Sequence, residues 1–126
     1  MASKVLIVDD SPTETYRMEV ALKKHGYSVV KADNGEEGVR VAKSELPNLV
    51  LMDVVMPGMN GFQATRQLTK ARETSHIPVI IVTTKDQPTD KLWGKRQGAK
   101  GYLVKPVDDN RLIDAIKQVM GGAILI

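Results

Sequence analysis

The sequence predicts an α/β domain, in which helices cover both faces of a parallel sheet. Short apolar runs alternate five times with longer segments whose apolar residues recur at helical spacing. Three of the runs are apolar at every position, as in strands that are covered on both faces. Strict alternation of strand and helix favours a parallel sheet with right-handed crossovers. We expect residues 1–126 to form a single domain, with no second unit for output.

The predicted strands are rich in Val, Ile and Leu, and the first, third and fourth are apolar throughout. Their β-branched residues and their short length favour strands over buried helices. The predicted strands are residues 5–8, 28–32, 49–52, 79–82 and 102–104.

The helices are predicted from apolar stripes and from their end signals. Ser11 suits the N-cap of the first helix, Pro12 suits its first turn, and Glu14 is placed to close a capping box. His25 and Gly26 form a stop signal. A fourth helix is expected around residues 90–97. The stripes are Met18, Ala21 and Leu22, then Gly38, Val39 and Ala42, then Leu112, Ile113, Ile116, Val119 and Met120.

Composition excludes several classes of protein. The chain has no cysteine, so it has neither disulfides nor thiolate metal sites. Its net charge of +3 is mild and only five residues are aromatic, which argues against direct nucleic-acid binding. No secretory signal and no apolar run of about 18–20 residues is present. We therefore expect a cytoplasmic protein without membrane insertion.

Charged and hydroxyl side chains come directly after the predicted strands. In the stretch LIVDDSP, residues 6–12, two adjacent carboxylates end an apolar run, although folding alone gives no reason for two like charges side by side. The carboxyl ends of parallel strands meet at one edge of the sheet, where open α/β folds bind ligands. In chain order these residues are Asp9 and Asp10, then Asp53, then Thr83 and Thr84, then Lys105.

Three carboxylates at one edge repel each other unless a positive charge lies among them. A hard divalent cation with oxygen ligands resolves the repulsion, and Mg²⁺ suits a site with few carboxylates. His25 and His76 fall away from this edge, so the usual pairs of nucleophile and base are missing. Asp53 is the best candidate for a nucleophile toward phosphorus, with Asp9 and Asp10 as metal ligands and Lys105 as a fixed cation.

With these residues in place, the chain resembles the response-regulator receiver domains of two-component signalling. The resemblance rests on VDD near the start, the central LMDVVMPGMNG, IVTT and YLVKP, and it covers nearly the whole chain. It implies a doubly wound, flavodoxin-like (βα)5 sheet of order 2-1-3-4-5. It also implies a signalling protein and not a classical enzyme, phosphorylated by a histidine kinase with self-catalysed phosphoryl transfer and autodephosphorylation.

The resemblance also implies roles for individual residues. Asp53 would be the phosphoacceptor, and it would hold Mg²⁺ together with Asp9, Asp10 and the backbone carbonyl of Val55. Thr83 would bind the phosphoryl group and Lys105 would pair with it. Thr84 remains the alternative hydroxyl, although alternation along the strand lets only one of the two face the site. Tyr102 would be an aromatic switch, and the bond between Lys105 and Pro106 would be cis.

A narrower resemblance concerns the output. The stretch TTKDQPTDKLWGKRQGAKGYLVKPV, with NGFQATRQLTK before it, is similar to PilH-type single-domain regulators of type IV pilus twitching motility. The surface formed by the fourth helix, the fifth strand and the fifth helix would then control a motility protein. The fourth helix carries four candidate contacts, which form either a docking surface for an acidic partner or a solvated basic face with the tryptophan tucked inward. They are Lys91, Trp93, Lys95 and Arg96.

Other functions stay open at the level of sequence. The chain could be a phosphate sink without direct output, or an interaction module that does not depend on phosphorylation. A magnesium-dependent phosphohydrolase would need a substrate pocket, and a flavin- or nucleotide-binding module would need a phosphate loop where DDSPTE is acidic. The segment after the fifth helix, GGAILI, should stop the helix. Its apolar residues pack on the sheet, pack on a neighbour or stay disordered.

Overall fold

A computed structural model describes residues 2–126. Within that range the chain forms five strands and five helices in strict alternation, as predicted. The strands are β1 (Lys4–Val8), β2 (Ser28–Ala32), β3 (Leu49–Met52), β4 (Val79–Thr83) and β5 (Gly101–Val104). The helices are α1 (Pro12–Lys24), α2 (Gly35–Glu45), α3 (Gly61–Lys70), α4 (Pro88–Arg96) and α5 (Asp109–Met120).

The strands form one parallel sheet of order β2-β1-β3-β4-β5, which confirms the predicted flavodoxin-like fold. Val8 at the end of β1 pairs with Met52 at the end of β3. The Asp53 N–H continues that ladder with a 2.9 Å bond to the carbonyl of Val8. The register therefore brings Asp9 and Asp53 out of the sheet side by side.

Alternate residues of the strands build two cores, one on each face of the sheet. Val5 and Ile7 of β1 face α1 and α5, whereas Leu6 and Val8 face α2 and α3. This is why β1, β3 and β4 are apolar at every position except Lys4 at the start of β1 and Thr83 at the end of β4. Residues on the outer strand β2 are more exposed than those on the other four strands.

The ends of the elements differ from the predictions in small ways. β1, β4 and β5 each gain one residue, and α4 begins at Pro88, two residues earlier than expected. Ser11 caps α1 by accepting a 3.3 Å bond from the Glu14 N–H. The second half of the predicted capping box is wrong, because the Ser11 N–H donates instead to Oδ1 of Asp9 at 2.9 Å. The Ser11 N–H, which Glu14 was expected to bind, is therefore bound by a carboxylate of the candidate site.

The segment after α5 has a defined place, packed on the sheet. The N–H groups of Gly122 and Ala123 donate to the carbonyls of Val119 and Gln118, and Gly122 has φ 101°. These are the two bonds of a Schellman motif, which turns the chain back at a helix end. The Leu125 N–H then donates to the carbonyl of Lys100 at 2.7 Å, beside the start of β5.

Candidate functional site

Three carboxylates meet at the carboxyl edge of the sheet, where the sequence predicts them. Asp9 and Asp53 are buried, with 3% and 7% of their surfaces exposed, and Asp10 is open to solvent. One oxygen from each of the three lies within 4.8 Å of the other two. Carboxylates held this close in a partly dry setting repel strongly unless a cation accompanies them.

Lys105 supplies a fixed positive charge within this group. It lies just after β5, and its Nζ donates to Oδ2 of Asp9 at 2.7 Å and to Oδ2 of Asp53 at 3.3 Å. Its side chain is mostly buried. Burial alone would lower the pKa of Lys105, but the hydrogen bond to Asp9 and the charge of Asp53 outweigh it and raise the pKa. Lys105 is therefore a permanent cation at neutral pH.

The effect of burial on the pKa of a carboxylate is opposite to its effect on the pKa of a lysine. It raises the pKa of Asp9, and the hydrogen bonds from Lys105 and from the Ser11 N–H offset part of that rise. A carboxylate that keeps a raised pKa beside a lysine gains from a further positive charge. The donor set consists of hard carboxylate oxygens only, one of them on the exposed Asp10, and this set fits Mg²⁺ with several waters.

The backbone around Asp53 holds its carboxylate in one orientation. Oδ1 accepts the N–H of Val54 at 2.7 Å and that of Val55 at 3.4 Å, which leaves Oδ2 toward Lys105. Gly61, the first residue of α3, lies against the same backbone, because a Cβ there would come 1.9 Å from the Asp53 carbonyl oxygen. The start of α3 thus fixes the residue that the sequence proposes as nucleophile.

The two threonines at the end of β4 point in different directions. Thr83 is fully buried and Thr84 is exposed, as the alternation of a strand requires. The Thr83 hydroxyl oxygen accepts a long 3.5 Å bond from the Lys85 N–H, so its proton is free to reach another acceptor. The Lys105–Pro106 bond is cis, in agreement with the resemblance.

Tyr102 lies inward beneath the start of α4. Its hydroxyl donates to the carbonyl of Lys85 at 2.8 Å, and 8% of the residue is exposed. Burial, together with the negative charges of Asp90, Asp53 and Asp86, raises the pKa of Tyr102 to about 12. Its phenol therefore stays protonated at physiological pH and donates its hydrogen bond to the Lys85 carbonyl.

The space for the Tyr102 ring comes from a glycine in α4. A Cβ on Gly94 would lie 3.1 Å from Cδ2 of Tyr102 and 2.9 Å from Cδ1 of Ile81. The loop before α4 is held by a pair between Lys85 and Asp90 at 3.6 Å and by the Gln87 N–H, which donates to Asp90 at 3.1 Å. One network therefore joins Thr83, this loop and Tyr102.

The candidate contacts on α4 are exposed. Trp93 has 50% of its surface open, and the guanidinium of Arg96 lies 5.7 Å from the centre of its ring. Lys91 and Lys95 are exposed on the same helix. The alternative in which the tryptophan is tucked inward is wrong, because half of the Trp93 surface is open to solvent.

Some contacts of the site were not found from the sequence. Glu36 on α2 accepts the Met59 N–H at 3.1 Å and thereby holds the loop that follows Asp53. The close approach of Gly61 and the bond from Ser11 to Asp9 were missed as well. Each of these joins distant parts of the chain or depends on backbone direction. The one local signal of the close approach was the glycine directly after Asn60, but Asn followed by Gly is also found at ordinary helix starts.

The chain is similar to known proteins over nearly its whole length. Residues 5–117 match the family described as the response regulator receiver domain. Protein PilH of Pseudomonas aeruginosa is 64% identical over 120 residues, which span 95% of this chain and 99% of that protein. Response regulator PleD of Caulobacter vibrioides is 35% identical over 119 residues, but the match spans only 26% of its length.

Solved structures show the same fold. The chemotaxis protein CheY4 of Vibrio cholerae superposes with a TM-score of 0.89 at 32% identity, covering 94% of this chain and 99% of that one. A response regulator of Chloroflexus aurantiacus gives a TM-score of 0.92 at 29% identity, with 96% and 99% covered. Within residues 2–126, no helix is long and apolar enough to cross a membrane.

Proposed function

Since the chain belongs to the family of response regulator receiver domains, we propose that it is a signalling protein phosphorylated on Asp53. One observation carries the proposal: Asp53 is buried at a strand end, oriented by two backbone N–H groups and paired with Lys105. A structural acid would need no second and third carboxylate within 4.8 Å of it. The donor is a phosphohistidine of a histidine kinase, as the family implies.

The proposed transfer is a displacement at phosphorus. A carboxylate oxygen of Asp53 forms a bond to phosphorus, the bond from phosphorus to the histidine nitrogen breaks, and the imidazole leaves and takes up a proton. Lys105, already within 3.3 Å of Asp53, neutralises negative charge on the phosphoryl oxygens. The Thr83 hydroxyl donates a hydrogen bond to one of these oxygens.

Asp9, Asp10, Asp53 and the backbone carbonyl of Val55 are the proposed ligands of Mg²⁺. When bound, the cation would offset charge on the phosphoryl oxygens and on the crowded carboxylates. Asp9 is held for this role by the Ser11 N–H and by Lys105, while Asp10 remains open to solvent. Glu36 supports the loop that carries Val55 through its bond to Met59.

Phosphorylation adds nearly two negative charges at this edge of the sheet. A phosphoryl oxygen that binds the Thr83 hydroxyl would draw it away from the Lys85 N–H, and Lys85 is also the partner of Tyr102. The network thereby biases the loop before α4 and the α4 surface. We infer that α4, through Lys91, Trp93, Lys95 and Arg96, docks a separate acidic partner.

The direct test of the phosphoacceptor is intact mass after incubation with acetyl phosphate, with and without Mg²⁺. Wild type should gain one phosphoryl group only with Mg²⁺, and Asp53→Asn should gain none. Asp33→Asn is the matched control, since Asp33 is an exposed acid just after β2, and it should behave as wild type. An equal gain on Asp53→Asn would overturn the assignment, and no gain in any sample would favour a phosphorylation-independent interaction module.

Control of twitching motility is the proposed output, supported by the 64% identity to PilH. Expression of this chain in Pseudomonas aeruginosa lacking its own PilH protein should restore twitching. Lys95→Glu should abolish the restoration without changing phosphorylation, because it reverses a charge on α4. Lys43→Glu, on the exposed side of α2, is the control and should restore twitching. Failure of the wild-type chain would contradict the assignment to motility.

A further inference from the structure

The C-terminal segment, residues 121–126, reaches the same region as Tyr102. After the Schellman turn at Gly122, its chain runs back to β5, and the Leu125 N–H bonds to the carbonyl of Lys100. Ile126 then packs, partly buried, against the cluster formed by Val54, Ile81, Ala99 and Tyr102. The turn at Gly122 and the hydrogen bond of Leu125 together fix the path of this segment.

The contact is specific to one side chain of the segment. Ile124 is 62% exposed, whereas Ile126 faces the cluster, although the two residues are identical in type and two positions apart. Beyond the Schellman turn, the attachment consists of one backbone hydrogen bond and of side chains that are at most partly buried. Contacts of this size open and close locally without global unfolding.

We propose that Ile126 is a positioning residue for Tyr102, and that residues 121–126 form a strap that favours the inward ring. The proposal rests on the proposed function, in which Tyr102 passes the state of the phosphorylation site to α4. Burial of the cluster by Ile126 stabilises the arrangement in which the Tyr102 hydroxyl reaches the Lys85 carbonyl. Without the strap, solvent enters beside Tyr102 and the inward state loses apolar contact.

The coupling has a definite sign. If phosphorylation and the strap favour the same inward state, each strengthens the other by the same factor. Removal of the Ile126 side chain should therefore weaken the response to phosphorylation, although the residue touches neither Asp53 nor the metal ligands. The strap also covers the start of β5, an edge strand, through the bond from the Leu125 N–H to the Lys100 carbonyl.

The experiment compares wild type with Ile126→Ser, Ile126→Val and Ile124→Ser. The first readout is amide hydrogen exchange of residues 84–102 in the unphosphorylated protein. The second is the concentration of beryllofluoride, a phosphoryl analogue, that gives half of the change in Trp93 fluorescence in the presence of Mg²⁺. Trp93 is the only tryptophan, so the signal reports on α4.

Ile126→Ser should speed exchange in residues 84–102 and raise the half-maximal beryllofluoride concentration about fivefold, the low end of typical coupling factors. Ile126→Val should restore both values, and Ile124→Ser should match wild type. Equal behaviour of Ile126→Ser and Ile124→Ser in exchange would overturn the strap, as would faster exchange with an unchanged beryllofluoride response. If wild type itself shows no Mg²⁺-dependent response, the proposed function fails, while the exchange comparison still decides whether the strap exists.

Discussion

Helices α3 and α4 follow neighbouring strands that both end in the site, yet they are attached in different ways. α3 buries Gly61, Ala64, Thr65 and Leu68 and has a reciprocal capping box at its start. Among the nine residues of α4, Gly94 is the one that is buried. Core packing holds α3 on the sheet. By contrast, α4 is held by the close approach of Gly94 to Ile81 and Tyr102 and by polar contacts in the loop before it. We therefore expect a phosphoryl group on Asp53 to shift α4 while α3 keeps Asp53 in place.

The largest expected difference between the helices concerns their leucines. Leu68 is buried in the core below α3, and Leu92 on α4 is 49% exposed. Leu68→Ala should lower the free energy of unfolding by about 3 kcal/mol, because it leaves a cavity. Leu92→Ala should change it by less than about 0.5 kcal/mol. Urea unfolding measures both, and equal losses would mean that α4 is part of the core.

The two helix glycines give the next difference. A Cβ at Gly61 would meet backbone atoms of Asp53, whereas one at Gly94 would meet side-chain atoms, Cδ1 of Ile81 and the ring of Tyr102. Gly61→Ala should cost about 1–3 kcal/mol and slow phosphorylation by acetyl phosphate. Gly94→Ala should leave stability within about 1 kcal/mol of wild type, because better helix propensity offsets the contact. It should also increase exchange around Tyr102, and unchanged exchange there would show that Gly94 does not set the ring position.

The helix caps give a smaller difference. Asn60 accepts the Gln63 N–H at 3.0 Å at the start of α3, so Asn60→Ala should lower the free energy of unfolding by about 1 kcal/mol. At the start of α4 the bond runs from the Gln87 backbone N–H to Asp90, so Gln87→Ala keeps it and should cost a few tenths of that amount. Thermal unfolding of the two variants measures the difference. A larger loss of stability in Gln87→Ala than in Asn60→Ala would contradict the prediction.

The last effect is confined to alkaline pH and lies on the α4 side. The pKa of Tyr102 is raised to about 12 in the folded protein, above the ordinary value near 10. Its contribution to stability is therefore fully present below pH 10 and is lost as the pH rises through about 12. At pH 11 wild type should have lost about 1 kcal/mol through this group, and Tyr102→Phe should not show that loss. Urea unfolding of both proteins between pH 8 and 11 measures it, and parallel curves would contradict it.

The sequence predicted the fold and the convergence of the carboxylates because both follow from local pattern. Strand periodicity gave the parallel sheet, and a parallel sheet places Asp9 and Asp53 at one edge whatever the loops do. The sequence did not predict the bond from the Ser11 N–H to Asp9 or the position of Ile126. Those depend on backbone direction and on partners far along the chain, which composition and spacing do not specify.

We expect an occupied site to move α4 and to leave α3 in place. Amide hydrogen exchange of residues 65–70 and 88–96, measured with Mg²⁺ before and after addition of beryllofluoride, tests it directly, with Asp53→Asn as the control that should not respond. We expect exchange to change several-fold in α4 and to remain constant in α3. Equal changes in both helices, or a change in neither, would contradict the account.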